Sequence, residues 1–131
     1  MATRAIVPRR LLVVDDDDGV RKVLASLLRS AGHKVVEAAG GVAGLERLAE
    51  HEVDLVCTEM GMPGMTGVEF ARRAKARKGM TPILLLTGWG EDAVGDKKGE
   101  GVDGVLAKPV STRVLLESIA TLTETVVPRG A

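Results

Sequence analysis

The sequence predicts an α/β fold of the doubly wound kind: a five-stranded parallel sheet with helices on both faces, formed by a single domain. Three observations predict it. Short apolar runs at 11–14, 35–36, 55–57, 83–86 and 105–107 alternate with longer stretches of helical apolar spacing. The main runs are continuous rather than alternating, as strands buried on both faces are. The chain has 131 residues, 45% of them apolar and only 2% aromatic. That length suits one domain, able to bury roughly two-thirds of the surface its unfolded form exposes. Its core must be built from Leu, Val, Ile, Ala and Met.

Residues 1–9 read as a flexible arm, and residues 10–125 as the domain. Arg10 to Asp15 forms the first strand around Leu11-Leu12-Val13-Val14, and Asp15 to Asp18 follow as four consecutive acids. Asp17 or Asp18 is suited to cap the next helix. The first two sit where a buried strand ends, and like charges there are costly unless a cation neutralises them. Val20, Val23, Leu24, Leu27 and Leu28 give one apolar stripe, and Gly32 stops that helix. Lys34 to Glu37 is a short strand that alternates poorly, as an edge strand does. A modest helix over 41–51 is held inward by Val42, Leu45, Leu48 and Ala49.

The run from Asp54 ends on a carboxylate, Glu59, and breaks into a loop rich in Gly and Pro before a helix over 66–78. Val68, Phe70, Ala71 and Ala74 are that helix's apolar side, with Arg72, Arg73, Lys75, Arg77 and Lys78 covering its outer surface. Thr81-Pro82 introduces Ile83 to Thr87, a strand ending on a hydroxyl beside Gly88-Trp89-Gly90. The segment 91–101 holds Gly95, Gly99 and Gly101 and two apolar side chains, so any helix there is short and frayed. A fifth strand over 104–107 stops at Lys108-Pro109. The last helix starts near Ser111 with Val114, Leu115, Ile119 and Leu122 on one face, and 126–131 is a tail.

Eighteen basic and eighteen acidic residues balance to zero. With so few aromatics, the chain has neither the basic footprint nor the stacking platforms of a nucleic-acid binder. Cys57, the single cysteine, lies in an apolar strand and reads as a small hydrophobe. His33 and His51 are far apart, unlike metal ligands. No run approaches membrane-spanning length and the amino end lacks a secretory apolar stretch, so a cytoplasmic location is expected.

The segment Asp54-Leu55-Val56-Cys57-Thr58-Glu59-Met60-Gly61-Met62-Pro63-Gly64-Met65-Thr66-Gly67 resembles the phosphorylation segment of response-regulator receiver domains, the switch modules of two-component signalling. The likeness extends over about residues 10–124 and includes Asp15-Asp16, Thr87 and Lys108-Pro109. It implies the flavodoxin-like three-layer α/β/α architecture with strand order 2-1-3-4-5. All four strand ends would then face one crevice. The resemblance also implies a Mg²⁺ site made of Asp15, Asp16, Glu59 and the backbone carbonyl of Gly61. Lys108 would pair with the acid at rest, and Thr87 would donate its hydroxyl to a phosphoryl oxygen. Pro109 would be cis, and Val105 would occupy the family's switch position. Trp89, beside Thr87, is placed either to pack over the site or merely to cover apolar surface. Partners implied are a sensor histidine kinase or phosphotransfer protein, or a downstream protein target, with no nucleic acid and no membrane.

Two departures limit this reading. The family's phosphoacceptor is aspartate, and this chain has Glu59, longer by a methylene that moves the oxygen on the order of 1.5 Å. Val105 stands where the family often has a swinging aromatic. Glu59 therefore points to a pseudo-receiver, or to partial imitation of phosphoaspartate by a single charge where a phosphoryl group carries about two. An enzyme alternative also stands. Asp16-Asp17-Asp18-Gly19-Val20 resembles the start of haloacid-dehalogenase-type phosphatases, with Asp16 and Asp18 as the working acids, but that reading leaves Met-Pro-Gly-Met-Thr-Gly and Lys-Pro unexplained. A scaffold without a metal would leave the acid cluster uncompensated.

Overall fold

A computed structural model describes residues 6–88 and 101–126. In chain order these form β1 (Arg10–Val14), α1 (Asp18–Ser30), β2 (Lys34–Ala38), α2 (Gly41–Glu50), β3 (Leu55–Glu59), α3 (Gly67–Arg77), β4 (Ile83–Thr87), β5 (Gly104–Ala107) and α4 (Thr112–Leu122). The sheet runs β2-β1-β3-β4-β5, parallel throughout, with Leu11 beside Val35, Leu12 beside Val56, Val56 beside Ile83 and Leu85 beside Val105. This is the doubly wound order expected above, with β2 at one edge. Residues 91–100 of the segment read as a frayed helix, and Trp89 with them, lie outside the described residues.

Alternate strand residues point to opposite faces, and each face meets its own pair of helices. Leu12, Val14, Val56, Ile83, Leu85 and Val105 pack with Leu45 and Leu48 of α2 and with Val68, Phe70, Ala71 and Ala74 of α3. Leu11, Val13, Leu55, Cys57, Leu84 and Leu86 pack with Leu28 of α1 and with Leu115 and Ile119 of α4. Each fully buried Leu, Ile or Phe contributes about 1.5–3 kcal/mol of transfer free energy. Burial of these two faces is therefore the main force holding the layers.

Side-chain oxygens cap three helices: Asp17 accepts from the Val20 amide, Thr66 from Glu69 and Ser111 from Val114. Gly32 follows the end of α1 with φ +107°, a conformation that costs other residues about 1–2 kcal/mol.

The helical stripes need correction. Val20 and Val23 of α1, Val42 and Ala49 of α2 and Val114 of α4 were expected inside, and all five are exposed. In α1 the buried residues are Arg21, Ala25 and Leu28. The inward line is thus shifted from the valines, and an arginine takes its first position. A guanidinium can occupy an inward position only where acceptors await it, and these are found at the carboxyl end of the sheet. Of the segment assigned to the arm, Arg9 is buried and hydrogen-bonded.

Candidate functional site

Parallel pairing brings the carboxyl ends of β1, β3, β4 and β5 to one edge of the sheet, carrying Asp15-Asp16, Glu59, Thr87 and Lys108. Asp15 and Thr87 are buried, Glu59 is half-buried and Asp16 is exposed. The Asp15 amide donates to the carbonyl of Ala38, which prolongs the β1–β2 ladder by one residue and fixes where the acid emerges. Its Oδ1 accepts the Asp17 amide at 2.9 Å. Burial raises the Asp15 carboxyl above the ordinary aspartate range. The Asp17 N–H and the Lys108 charge pull it down, while Glu59 and Asp16 push it up. The crevice is thus crowded with negative charge around one buried carboxylate.

Glu59 is engaged on both oxygens. Lys108 Nζ donates to Oε1 at 2.9 Å, and the Met60 amide donates to Oε2 at 2.7 Å. The second contact folds the carboxylate back over the residue that follows it. Lys108 arrives from the end of β5, its own amide bonded to the Thr87 carbonyl at 2.8 Å, and the Lys108-Pro109 peptide is cis. Val105 is buried among the residues packed under α2 and α3. Gly61 is exposed at the start of the loop after β3.

Gly67 decides how closely that loop returns. Its amide donates to the Met60 carbonyl at 2.8 Å, and a Cβ built on it would lie 2.4 Å from the Glu59 carbonyl oxygen and 2.7 Å from Leu85 Cδ1. Any side chain there would push α3 off the end of β3. The loop also turns through Gly64 at φ +80°. The glycines of the motif therefore set the position of Glu59 from behind.

Sequence reasoning missed Arg21. Its Nη1 donates to the Asp15 carbonyl at 2.8 Å, Nη2 to Asp18 at 2.6 Å and Nε to Glu37 of β2 at 3.3 Å. Glu37 also binds Arg29 at 3.2 Å. Arg21 thus braces the Asp15-Asp16 peptide from α1 and adds a fixed positive charge behind the acids. It shares a helical face with Ala25 and Leu28, but apolar spacing scores an arginine as outward, so the sequence pattern carried no signal of its burial. Asp18, assigned a working role in the phosphatase alternative, is instead held by Arg21, which lowers its pKa. Cys57 is fully buried and its thiol is pushed up to about 12 by that burial, so it does no chemistry here.

For a divalent cation the donor chemistry is right, because hard oxygen ligands crowd one crevice. The arrangement is not preassembled: among the described residues no three His, Cys, Asp or Glu side chains are grouped closely enough to hold a metal ion. No described helix is long and apolar enough to cross a membrane.

Comparison with known proteins identifies the architecture. Residues 11–120 match the family model described as response regulator receiver domain. The chain is 34% identical over 121 residues to the chemotaxis protein CheY of Pseudomonas aeruginosa, covering 89% of this chain and 98% of that one. It is 40% identical over 108 residues to the transcriptional regulatory protein AfsQ1 of Streptomyces coelicolor, covering 80% of this chain but 47% of that protein, so it spans less than half of that regulator. Among solved structures, the response regulator TrrA of Thermotoga maritima, in complex with Mg²⁺ and BeF, superposes with a TM-score of 0.80. It is 28% identical, with 87% of this chain and 98% of that one covered. The order of the sheet, the acids at its carboxyl edge and the lysine before a cis proline belong with these matches: the chain is a member of the response-regulator receiver-domain family.

Proposed function

We propose that this chain acts in two-component signalling as a pseudo-receiver, a protein-contact module whose site is held at rest by the Glu59–Lys108 pair. The observation that carries the reading is the double engagement of Glu59, with Lys108 Nζ on one oxygen and the Met60 amide on the other. Accepting a phosphoryl group requires a carboxylate oxygen aligned with the donor phosphorus, and misplacement by about 1 Å can cost on the order of 100-fold in rate. The added methylene and the folded-back carboxylate both oppose that alignment. Nor does Glu59 imitate the phosphorylated state well. It brings one charge where a phosphoryl group brings about two, and Lys108 balances that one.

Asp15, Asp16 and the Gly61 carbonyl, with Glu59, are the groups that would hold Mg²⁺. When bound, the ion would neutralise the crowded carboxylates. Lys108 would compete with a metal for an aspartate at 59 as well; what sets Glu59 apart is the Met60 amide on its other oxygen, so metal binding here is weaker than in a chain with aspartate at 59. Thr87 and Lys108, at the ends of β4 and β5, are the groups that would contact a phosphoryl group in a competent relative. Val105 removes the aromatic element of the usual response, so partner contact rather than phosphorylation sets the conformation. The partner is a histidine kinase, a phosphotransfer protein or a downstream target, met in the cytoplasm.

Glu59→Asp tests the reading. Labelling by acetyl phosphate and Mg²⁺-dependent binding of beryllofluoride are expected for the variant and nearly absent for the parent. Equal labelling of the two would overturn the proposal.

A further inference from the structure

A second ordered polar cluster lies at the opposite, amino-terminal end of the sheet and owes nothing to the acid crevice. Arg9, 6% exposed, immediately precedes β1. Its Nη1 donates to the Val126 carbonyl and its Nη2 to the Thr123 carbonyl, each at 2.8 Å, so the guanidinium spans the turn that follows α4. Cations are favoured at helix carboxyl ends, where carbonyls lack amide partners. The Val126 amide also donates to the Thr123 carbonyl at 2.9 Å, and the Thr123 hydroxyl donates to Ile119 at 2.7 Å, which closes the turn. On its other side Arg9 is held by its backbone. Its amide donates to Nδ1 of His33 at 3.0 Å, and its carbonyl accepts from the Lys34 amide at 2.9 Å. His33 is itself buried, with its amide on the Leu28 carbonyl.

We infer that Arg9 and His33 form a latch that pins the carboxyl end of α4 and residues 123–126 to the base of the sheet, and that it closes only while His33 is neutral. Nδ1 accepts from the Arg9 amide, so that nitrogen must carry no proton. Protonation turns it into a donor facing a donor, and sets a second positive charge beside the guanidinium. Burial, then the Arg9 charge, hold the ring below the ordinary histidine range. The latch is therefore closed at neutral pH and opens on acidification.

The other charges facing this region come from α4 and the turn after it: Arg113 and Glu117, then Glu124, line, with Arg9 and His33, a cavity of about 420 Å³. Arg113 and Glu117 pair at 3.8 Å. The cavity gives the protonated ring and water a place to go, so opening is local. Arg9 Nε is buried and has no hydrogen-bond partner among the described residues, so within them the closed latch is short of one bond. That deficit makes the closed state easier to leave.

Amide hydrogen exchange on the full chain, followed by NMR and corrected for intrinsic pH dependence, tests this. Between pH 7.5 and about 5, exchange at residues 123–126 should rise by about tenfold or more, the scale of losing one hydrogen bond to a charged group, while amides of β1 and β3 stay protected. His33→Gln keeps an acceptor without a titrating proton and should hold 123–126 protected across the range. Arg9→Met should leave them fast-exchanging at every pH, with the strands again as the control. Should Arg9→Met fail to fold, the wild type and His33→Gln still decide. A flat wild-type profile, or the same acid response in His33→Gln, would overturn the latch.

Discussion

Replacing Glu59 by Gln, Lys108 by Met, and both together forms a double-mutant cycle that measures the pair on which the proposed resting state depends. The side chains are 18% and 31% exposed and meet at 2.9 Å. Fully exposed pairs are worth about 0–1 kcal/mol. Removing one member of a fully buried pair costs about 3–5 kcal/mol, mostly through the charge left behind. This pair lies between those limits, so a coupling energy of about 1–2 kcal/mol is expected. Glu59→Gln alone will understate it. The amide oxygen still accepts the Met60 N–H, and removing the Glu59 charge relieves the Asp15 carboxylate, which Glu59 burdens. Lys108→Met should cost more than Glu59→Gln, because it strips Asp15 and Glu59 of their shared cation at once. Urea unfolding of the four proteins at neutral pH, with unchanged m-values, gives the cycle. A coupling below about 0.5 kcal/mol, the usual scatter of additivity, would refute the claim that the pair holds the site.

Gly67→Ala should destabilise by about 3 kcal/mol or more, since backbone atoms of Glu59 and Met60 cannot yield to a Cβ at 2.4 and 3.0 Å; chemical denaturation checks it. Asp15→Asn should raise the thermal midpoint at pH 7. Burial and like charge lift the Asp15 carboxyl, so its ionised form is a penalty above the raised pKa, and the gain should vanish as pH falls below the ordinary carboxylate range. Arg21→Met should cost about 2–3 kcal/mol in the same denaturation assay, because it strands the Asp15 carbonyl and Glu37. Arg21→Lys should recover only part of that, lacking the planar fork that reaches three acceptors. Cys57 should stay unmodified by a thiol reagent at pH 8 until the protein is unfolded, because its thiol is buried and protonated well above that pH.

How much of this was legible beforehand differs by element. The strands were, because a run such as Ile83 to Leu86 is apolar on both faces and only a covered sheet accepts it. Strand order was not contained in periodicity; it came with the receiver motif. The helical stripes were read less well. Val20 and Val23 look inward by composition, yet the helix is rotated so that Arg21 faces Asp15, Asp18 and Glu37. One-dimensional patterning scores an arginine as outward, so a buried guanidinium with acceptors on three elements stays invisible until the elements meet. Arg9 escaped for the same reason. Its acceptors, Thr123 and Val126, lie more than 110 residues away along the chain.

The residue types of the acid crevice were legible, but not what they do to one another. From sequence, Glu59 is an aspartate with one carbon too many, and the consequence looks like lost reach. In the folded chain the added carbon matters as much for direction. It lets the carboxylate curl back onto the Met60 amide while keeping Lys108, so that both oxygens are satisfied without a metal or a phosphoryl group. A carboxylate hydrogen-bonded in this way has less to gain from either. Among the described residues the Asp15 carboxylate accepts one hydrogen bond, from the Asp17 amide, and it carries the burial and the like-charge repulsion of the site. On the proposed reading, Asp15 and Asp16 therefore have more to gain from a cation than Glu59 does. Asp15→Asn should accordingly weaken Mg²⁺ binding on that reading, whereas Glu59→Asp should strengthen it and restore labelling by acetyl phosphate.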